Sequence, residues 1–298
     1  MKFKPDWTTW LHAYKRREID AVFKACPRQL FGRGLELGAG DGFQSTLLST
    51  VVRRLVSIEI NKNVLTRQST ADIEYRICSA EEAGDCFGEK SFDIVFSSNL
   101  LEHLLDPSVV LRGVHRLLKD DGITVHIMPA PFWKLCQMAL YHPANGLVLL
   151  ERITRQRGLV NYYREARALF RELLEGIPTG SNETMRLAYE RELSIGNNPT
   201  TGREMPSFIY SLFLPQPHGV SRTHGAEWRA FGKRRWKKVF DDAGFSCIAV
   251  RKGPAASGYG LGWERLRAIA ERAGLASEYS YIAVKKGYVS AAAGYFMP

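Results

Sequence analysis

The sequence predicts an α/β protein built on a mostly parallel, seven-stranded sheet, and three observations predict it. From about residue 33 to 128, short apolar runs alternate with stretches of helical periodicity, the pattern of successive β/α units. The glycine-dense stretch LELGAGDG, Leu35 to Gly42, lies where the first apolar run ends. Two late apolar runs, separated by a helical stretch, complete the sheet.

The elements follow in order. Residues 1–32 read as a helical segment ahead of a core at 33–130. The core strands are GLEL, RLVSIEI, IEYRICS, SFDIVFSS and GITVHIM. Before the last of these, LLDPSVVLRGVHRLLKDDG reads as a helix with Asp106 as its N-cap, Pro107 as its first residue and Gly122 as its stop. Val110, Val114, Leu117 and Leu118 share one face of it. Residues 131–227 change character: they are aromatic at first, then helical, with loops rich in Pro, Gly, Ser and Asn. They read as a largely helical insertion after strand five that covers the ligand-binding edge and forms the acceptor site. Regular order returns over 228–286. Trp236, Val239, Phe240 and Ala243 recur at i, i+3, i+4 and i+7 of a helix whose other side is basic. FSCIAVRKG and EYSYIAVKKG are the late strands, one of them antiparallel, and 287–298 is a tail.

Composition bounds the function. Over 298 residues, hydrophobic content is 45% and charged content 24%, which is ordinary for a soluble globular chain with a sizeable core. The net charge of +10 favours anionic partners, among them phosphorylated substrates, nucleic acid or a membrane surface. Five scattered cysteines without a CxxC pair argue against a disulfide framework or a zinc site and fit a reducing compartment. The start carries no apolar signal-like region, and LCQMALYHPANGLVLL is too short and too polar in its middle to span a bilayer. A cytoplasmic protein with no transmembrane span is the expectation, and no metal is expected.

In an open α/β sheet, ligands bind at the carboxyl ends of the strands, where strand order reverses. Gly38, Gly40 and Gly42 form the turn leaving strand one, where glycine tolerates positive φ and close approach of a ligand. Taken alone, such a turn also serves a plain strand-to-helix reversal. Glu59, at the tip of strand two and 17 positions after Gly42, is placed to accept both hydroxyls of a ribose. Together they favour an adenosine-type ligand. A dinucleotide turn would read G-x-G-x-x-G, but here the third glycine comes one residue early. Glu36 and Asp41 bracket the turn; carboxylates repel a pyrophosphate and suit the ammonium and sulfonium of S-adenosylmethionine (SAM).

These residues resemble the class I SAM-dependent methyltransferase family. LELGAGDG resembles its glycine motif, and VSIEI its acidic strand-two motif. CSAEEAGDCFGEKSFDIVFSSNLLEHLLDP, LLKDDGITVHIMPAP and VFDDAGF are similar to its later segments, in order and spacing. The resemblance implies a Rossmann-like fold, SAM as cofactor, and methyl transfer as the activity. By it, Glu36, Gly38, Ala39, Gly40, Asp41 and Gly42 surround the methionine moiety. Glu59 holds the ribose, Ile60 packs on the adenine, and Ser79, Ala80 and Glu81 edge it. Asn99 and Leu100 lie beside the transferred methyl. The layout of 131–227, including PQPHGVSRTHGAEWRAFGKRRW, faintly resembles bacterial methyltransferases acting on sugars or surface polysaccharides.

A hydroxyl acceptor needs a base. His103 lies just past strand four, and a histidine's ordinary pKa of about 6.5 suits that task. The alternative is a structural histidine. His218 and His224 are the runners-up, and His126, inside strand five, reads as core. The expected function is SAM-dependent methylation, at oxygen, of a small-molecule or glycan-like acceptor, with anionic groups among the acceptors that the arginines of the insertion suit. An RNA methyltransferase using the basic helix GKRRWKKVF is the alternative, and a non-catalytic protein on the same fold is a third reading. Phe132, Trp133 and Tyr141 either wall the acceptor pocket, touch a membrane surface peripherally, or pack against the sheet.

Overall fold

The structure is a computed structural model that describes residues 7–65, 69–147, 215, 217, 220, 221, 223–261 and 263–297. Seven strands form one sheet: β1 (Phe31–Leu37), β2 (Val52–Glu59), β3 (Ile73–Ile77), β4 (Phe92–Ser98), β5 (Leu118–Pro129), β6 (Phe245–Lys252) and β7 (Glu278–Lys285). Their spatial order is β3-β2-β1-β4-β5-β7-β6. The pairs β1·β2, β2·β3, β1·β4 and β4·β5 are parallel, whereas β7 runs antiparallel to both β5 and β6. Strand order reverses between β1 and β4, so the binding crevice falls at their carboxyl ends. Because β7 is antiparallel, its first residue, Glu278, arrives at that same edge beside Pro129 of β5.

Two apolar layers sandwich the sheet. On one face, α4 (Pro107–Leu117) and α7 (Lys233–Asp242) bury Val110, Val114, Leu117, Trp236 and Phe240 against Leu35, Leu37, Val95 and Tyr281. On the other, α1 (Trp7–Phe23) contributes Ile19, Val22 and Phe23 to a core with Phe31, Phe96, Ile127 and Phe296. Asp106 caps α4 by accepting from the Ser108 N–H at 2.8 Å, with Pro107 first in the helix.

The end of α4 differs from the expectation. The helix stops at Leu117, and Gly122 lies inside β5. Leu118 turns extended, and Lys119 and Asp120 make ion pairs to Asp93 and Lys90 at 2.6 and 2.7 Å. Gly122 is needed for contact: a Cβ there would meet Leu118 at 2.7 Å and the Asp93 carbonyl at 3.1 Å. The described part of the tail packs closely. Phe296 is buried, and Arg251 donates to the Tyr295 and Phe296 carbonyls.

His126 is core. Its ring is fully buried between Ser97 and Thr124, 2.7 Å from each hydroxyl, and burial lowers its pKa to about 3. Of the helices bounding residues 131–227, α5 (Pro131–Ala139) and α6 (His224–Ala230) are described. Trp133 packs edge-on against Phe231, and Tyr141 lies 6.5 Å from Tyr259. Arg152, Arg155, Arg157, Arg164, Arg203 and Arg222 fall outside the described residues. Among the described residues, no helix is long and apolar enough to cross a membrane.

Candidate cofactor and methyl-transfer site

The glycine turn adopts left-handed backbone at all three glycines, with φ of 74°, 56° and 80° at Gly38, Gly40 and Gly42. Gly38 and Ala39 donate to the Ile58 carbonyl at 2.9 Å, which binds the turn to the end of β2. The Gly40 N–H then donates to Glu59 Oε2 at 2.9 Å, while the Asn61 N–H donates to Oε1 at 3.1 Å. Two motifs 19 positions apart therefore meet in one contact at the switch point. A Cβ on Gly40 would have no atom within 4 Å, so the outer side of the turn is open. Ile60, next to buried Glu59, is 55% exposed, an apolar surface at the strand tip.

The two acids bracketing the turn are placed differently from each other. Asp41 accepts from the Phe43 N–H at 2.9 Å and contacts His12 Nε2 at 2.6 Å, and the His12 ring stacks on Phe43. Glu36 is buried beneath the turn, where it accepts from Ser45 and from Ser57 at 2.7 Å. Burial pushes its pKa up to about 7, against the pull of those two hydroxyls. Glu36 is thus a proton-holding group near neutrality rather than a fixed anion. Its raised folded-state pKa means its contribution to stability is complete below the unfolded value of about 4.5 and is lost as pH rises through about 7. Comparing Glu36→Gln with the parent by urea unfolding, the variant should gain about 3 kcal/mol on the parent between pH 4 and pH 8. A pH-independent difference would refute the raised pKa.

Ser79, Ala80 and Glu81 form the loop after β3, tied to the acid-bearing strand by the Cys78 N–H donating to the Glu59 carbonyl at 3.2 Å. The Ser79 hydroxyl donates to the Glu82 carboxylate and accepts the Glu82 N–H. Ala80 packs partly into the core and Glu81 is exposed. Across the crevice, Asn99 leaves β4 with φ of 51°, a left-handed conformation that asparagine tolerates. Its Nδ2 donates to Glu278 Oε1 at 3.0 Å, while its buried Oδ1 has no hydrogen-bond partner among the described residues. Leu100 lies directly under Gly38, 3.3 Å from where a Cβ would stand.

His103 closes a one-turn 3-10 helix, Leu101–His103, just past β4. Its Nε2 lies 3.8 Å from Glu102 Oε1, and Glu102 is buried. His224 opens α6, with Nδ1 3.8 Å from Glu227 Oε2, and burial followed by the Lys134 charge lowers its pKa. His218 lies outside the described residues.

Sequence reading missed the part played by α1 and β7. Lys15 reaches Glu18 Oε2 at 2.9 Å and Ser98 Oγ at 2.8 Å. Glu18 also accepts from Gln44 and Ser98, and Glu278 is buried beside it. Burial, then the Glu18 charge, raises the Glu278 pKa well above the usual carboxylate range. The α1 helix thus ties the glycine turn, the β4 tip and the β7 start together. Lys15 and Glu18 at i, i+3 were visible, but nothing local announced a partner 260 residues away.

Residues 35–126 match the family described as "Methyltransferase domain". The matched segment covers under a third of the chain. The seven-stranded sheet around it has the class I, Rossmann-like arrangement, and SAM is the cofactor that goes with the domain. The mitochondrial arginine-hydroxylase NDUFAF5 of Danio rerio is 31% identical over 134 residues, 41% of this chain and 41% of that protein. A ubiquinone biosynthesis O-methyltransferase of Pseudomonas syringae is 31% identical over 94 residues, 30% of this chain and 40% of its own length. The chain therefore spans well under half the length of these curated relatives. A SAM-dependent methyltransferase structure from Archaeoglobus fulgidus aligns over 93% of this chain and 94% of that one, with a TM-score of 0.44 and 16% identity.

The chemistry of the residues along the switch-point edge suits SAM. The open side of Gly40, the buried acid Glu59 and the exposed Ile60 offer room, a diol acceptor and an apolar face along one edge. Asn99 Oδ1, without a hydrogen-bond partner among the described residues, offers an acceptor to a donor-bearing cation at the other end.

Proposed function

We propose that the chain is a SAM-dependent methyltransferase that methylates an oxygen of a small-molecule or glycan-like acceptor, with His103 taking the acceptor proton. The single observation carrying the reading is the Gly40-to-Glu59 hydrogen bond, which unites the glycine turn and the ribose acid at the switch point. The name of the Pseudomonas syringae relative supports oxygen as the methylated atom. SAM supplies an electrophilic methyl carbon on a positively charged sulfur. The protein's part is to hold the acceptor oxygen in line with that carbon and to exclude water. With SAM bound, the His103 ring would take the proton that the acceptor oxygen loses on methylation; its Nε2 lies 3.8 Å from the Glu102 carboxylate. Residues 131–227 are proposed to form the acceptor side.

Calorimetry with S-adenosylhomocysteine (SAH), the demethylated product, tests the cofactor half. Glu59→Ala should weaken SAH by roughly 1.5–3 kcal/mol, the scale for hydrogen bonds to a charged group, and Glu59→Gln by less. NAD binding in place of SAH, or unchanged affinity in a folded Glu59→Ala protein, would sink the assignment.

One observation favours a second reading, an RNA acceptor. Arg234, Arg235, Lys237 and Lys238 of α7 are exposed together. A steep loss of RNA affinity with salt, together with RNA methylation, would select it.

A further inference from the structure

Cys78 follows β3 directly, and Cys86 ends α3 (Ala83–Cys86). Their sulfurs lie 3.0 Å apart, and no other pair of sulfurs makes such a contact among the described residues. A disulfide needs about 2.05 Å, a contraction within reach of small side-chain rotations. Cys86 is exposed and Cys78 half-buried. Both flanks are anchored. Cys78 is tethered to Glu59 through its N–H, while α3 packs on α4 with Gly84 against Gly113 and Asp85 paired to Arg116. The segment between the anchors is Ser79–Glu82, the turn that edges the candidate adenine pocket.

We propose that Cys78 and Cys86 are a modification site, a dithiol that exchanges with a small disulfide such as oxidised glutathione to form an intramolecular bond, and that this bond reshapes the cofactor's adenine edge. The second half rests on the cofactor reading above; the first does not. The Cys86 thiolate attacks one sulfur of the small disulfide, breaking its S–S bond and releasing one thiolate. Cys78, its proton passing to solvent, then attacks Cys86 in the mixed disulfide and releases the second thiol. The protein gives up two electrons and two protons, and the small disulfide takes them up as two thiols. Cys86 is the exposed sulfur and so the first attacker, while burial and the hydrogen bond with Cys86 push the Cys78 thiol up to about 12. Capture of Cys86 removes that second influence and frees Cys78 for the closing step. Because both flanks are held, the contraction falls on Ser79–Glu82 and narrows the space between that turn and Ile60.

The test uses the full chain, incubated with oxidised glutathione, alkylated and mapped by mass spectrometry. Two thiols should disappear, the intact mass should fall by two hydrogens, and one cross-linked peptide should join Cys78 to Cys86. Cys78→Ser should stop at a glutathione adduct on Cys86. SAH should bind the oxidised parent about threefold or more weakly, recover on reduction, and by reciprocity slow the oxidation when bound first. All five thiols remaining free, or a cross-link elsewhere, would overturn the site. Unchanged SAH affinity in fully cross-linked protein would overturn the adenine-edge consequence alone. A reduced protein that ignores SAH would count against the cofactor reading, and the thiol map would still decide the disulfide.

Discussion

Glu227→Ala is expected to cost about 3–5 kcal/mol of folding stability, read from the urea midpoint at constant slope. Lys134 Nζ and Glu227 Oε2 form an ion pair at 2.7 Å, and both side chains are wholly buried. Burial lowers the Lys134 pKa, with Glu227 opposing it. Gln137 accepts a further hydrogen bond from Nζ at 2.7 Å. Removing the carboxylate strands an ammonium in an apolar setting, which is far more costly than losing the pair's own attraction. The double replacement Lys134→Met with Glu227→Leu removes both charges and should recover most of the loss. A single-variant loss below about 1 kcal/mol would show the pair to be hydrated in solution. The pair joins α5 to α6, the two described ends of the segment proposed to form the acceptor side. Its rupture should therefore loosen acceptor binding while leaving SAH affinity nearly unchanged.

The strands were legible because each is a compact apolar run, and the glycine turn was legible because only glycine serves three left-handed positions so close together. The seven-stranded, mostly parallel sheet and its late antiparallel strand agree with expectation. What was not legible depends on partners distant in sequence. Gly122 looked like a helix stop because glycine often is one, yet its reason is contact with Leu118 and Asp93. The closure of the site by α1 depends on His12 meeting Asp41, and on Lys15 and Glu18 meeting Ser98 and Gln44. The sulfur pair was hidden for a simpler reason: Cys78 and Cys86 stand eight positions apart in no recognised spacing, and only the turn between them brings them together.

The two acids that bracket the turn carry charge differently. Asp41 already faces His12, and Glu36 holds its proton up to about pH 7. Glu36 therefore brings a responsive carboxyl to the turn rather than a fixed charge. A positive ligand over the turn favours the ionised form of Glu36, so binding near neutrality should release a proton. Pyrophosphate would do the reverse.

His103→Ala is expected to lower turnover about a hundredfold or more at saturating acceptor, the usual span for a positioned base, while SAH affinity changes less than about twofold. The geometry behind this is specific to the end of β4. Asn99 turns the chain through left-handed backbone, the 3-10 turn follows at once, and the His103 N–H is fixed to the Leu100 carbonyl at 3.0 Å. His103 thus stands on the same short turn as Asn99 and Leu100, the residues proposed for the methyl side, with Glu102 Oε1 3.8 Å from its Nε2. A residue that merely supports the fold would lower stability and SAH affinity together, and added imidazole would do nothing. A base would lose kcat with binding intact, and imidazole supplied in solution would restore part of it. His224 sits beside the Lys134–Glu227 pair, and His224→Ala should show the structural pattern instead. Turnover within about threefold of the parent in a folded His103→Ala protein would remove His103 as the base and leave the proton to the acceptor's own acidity or to water.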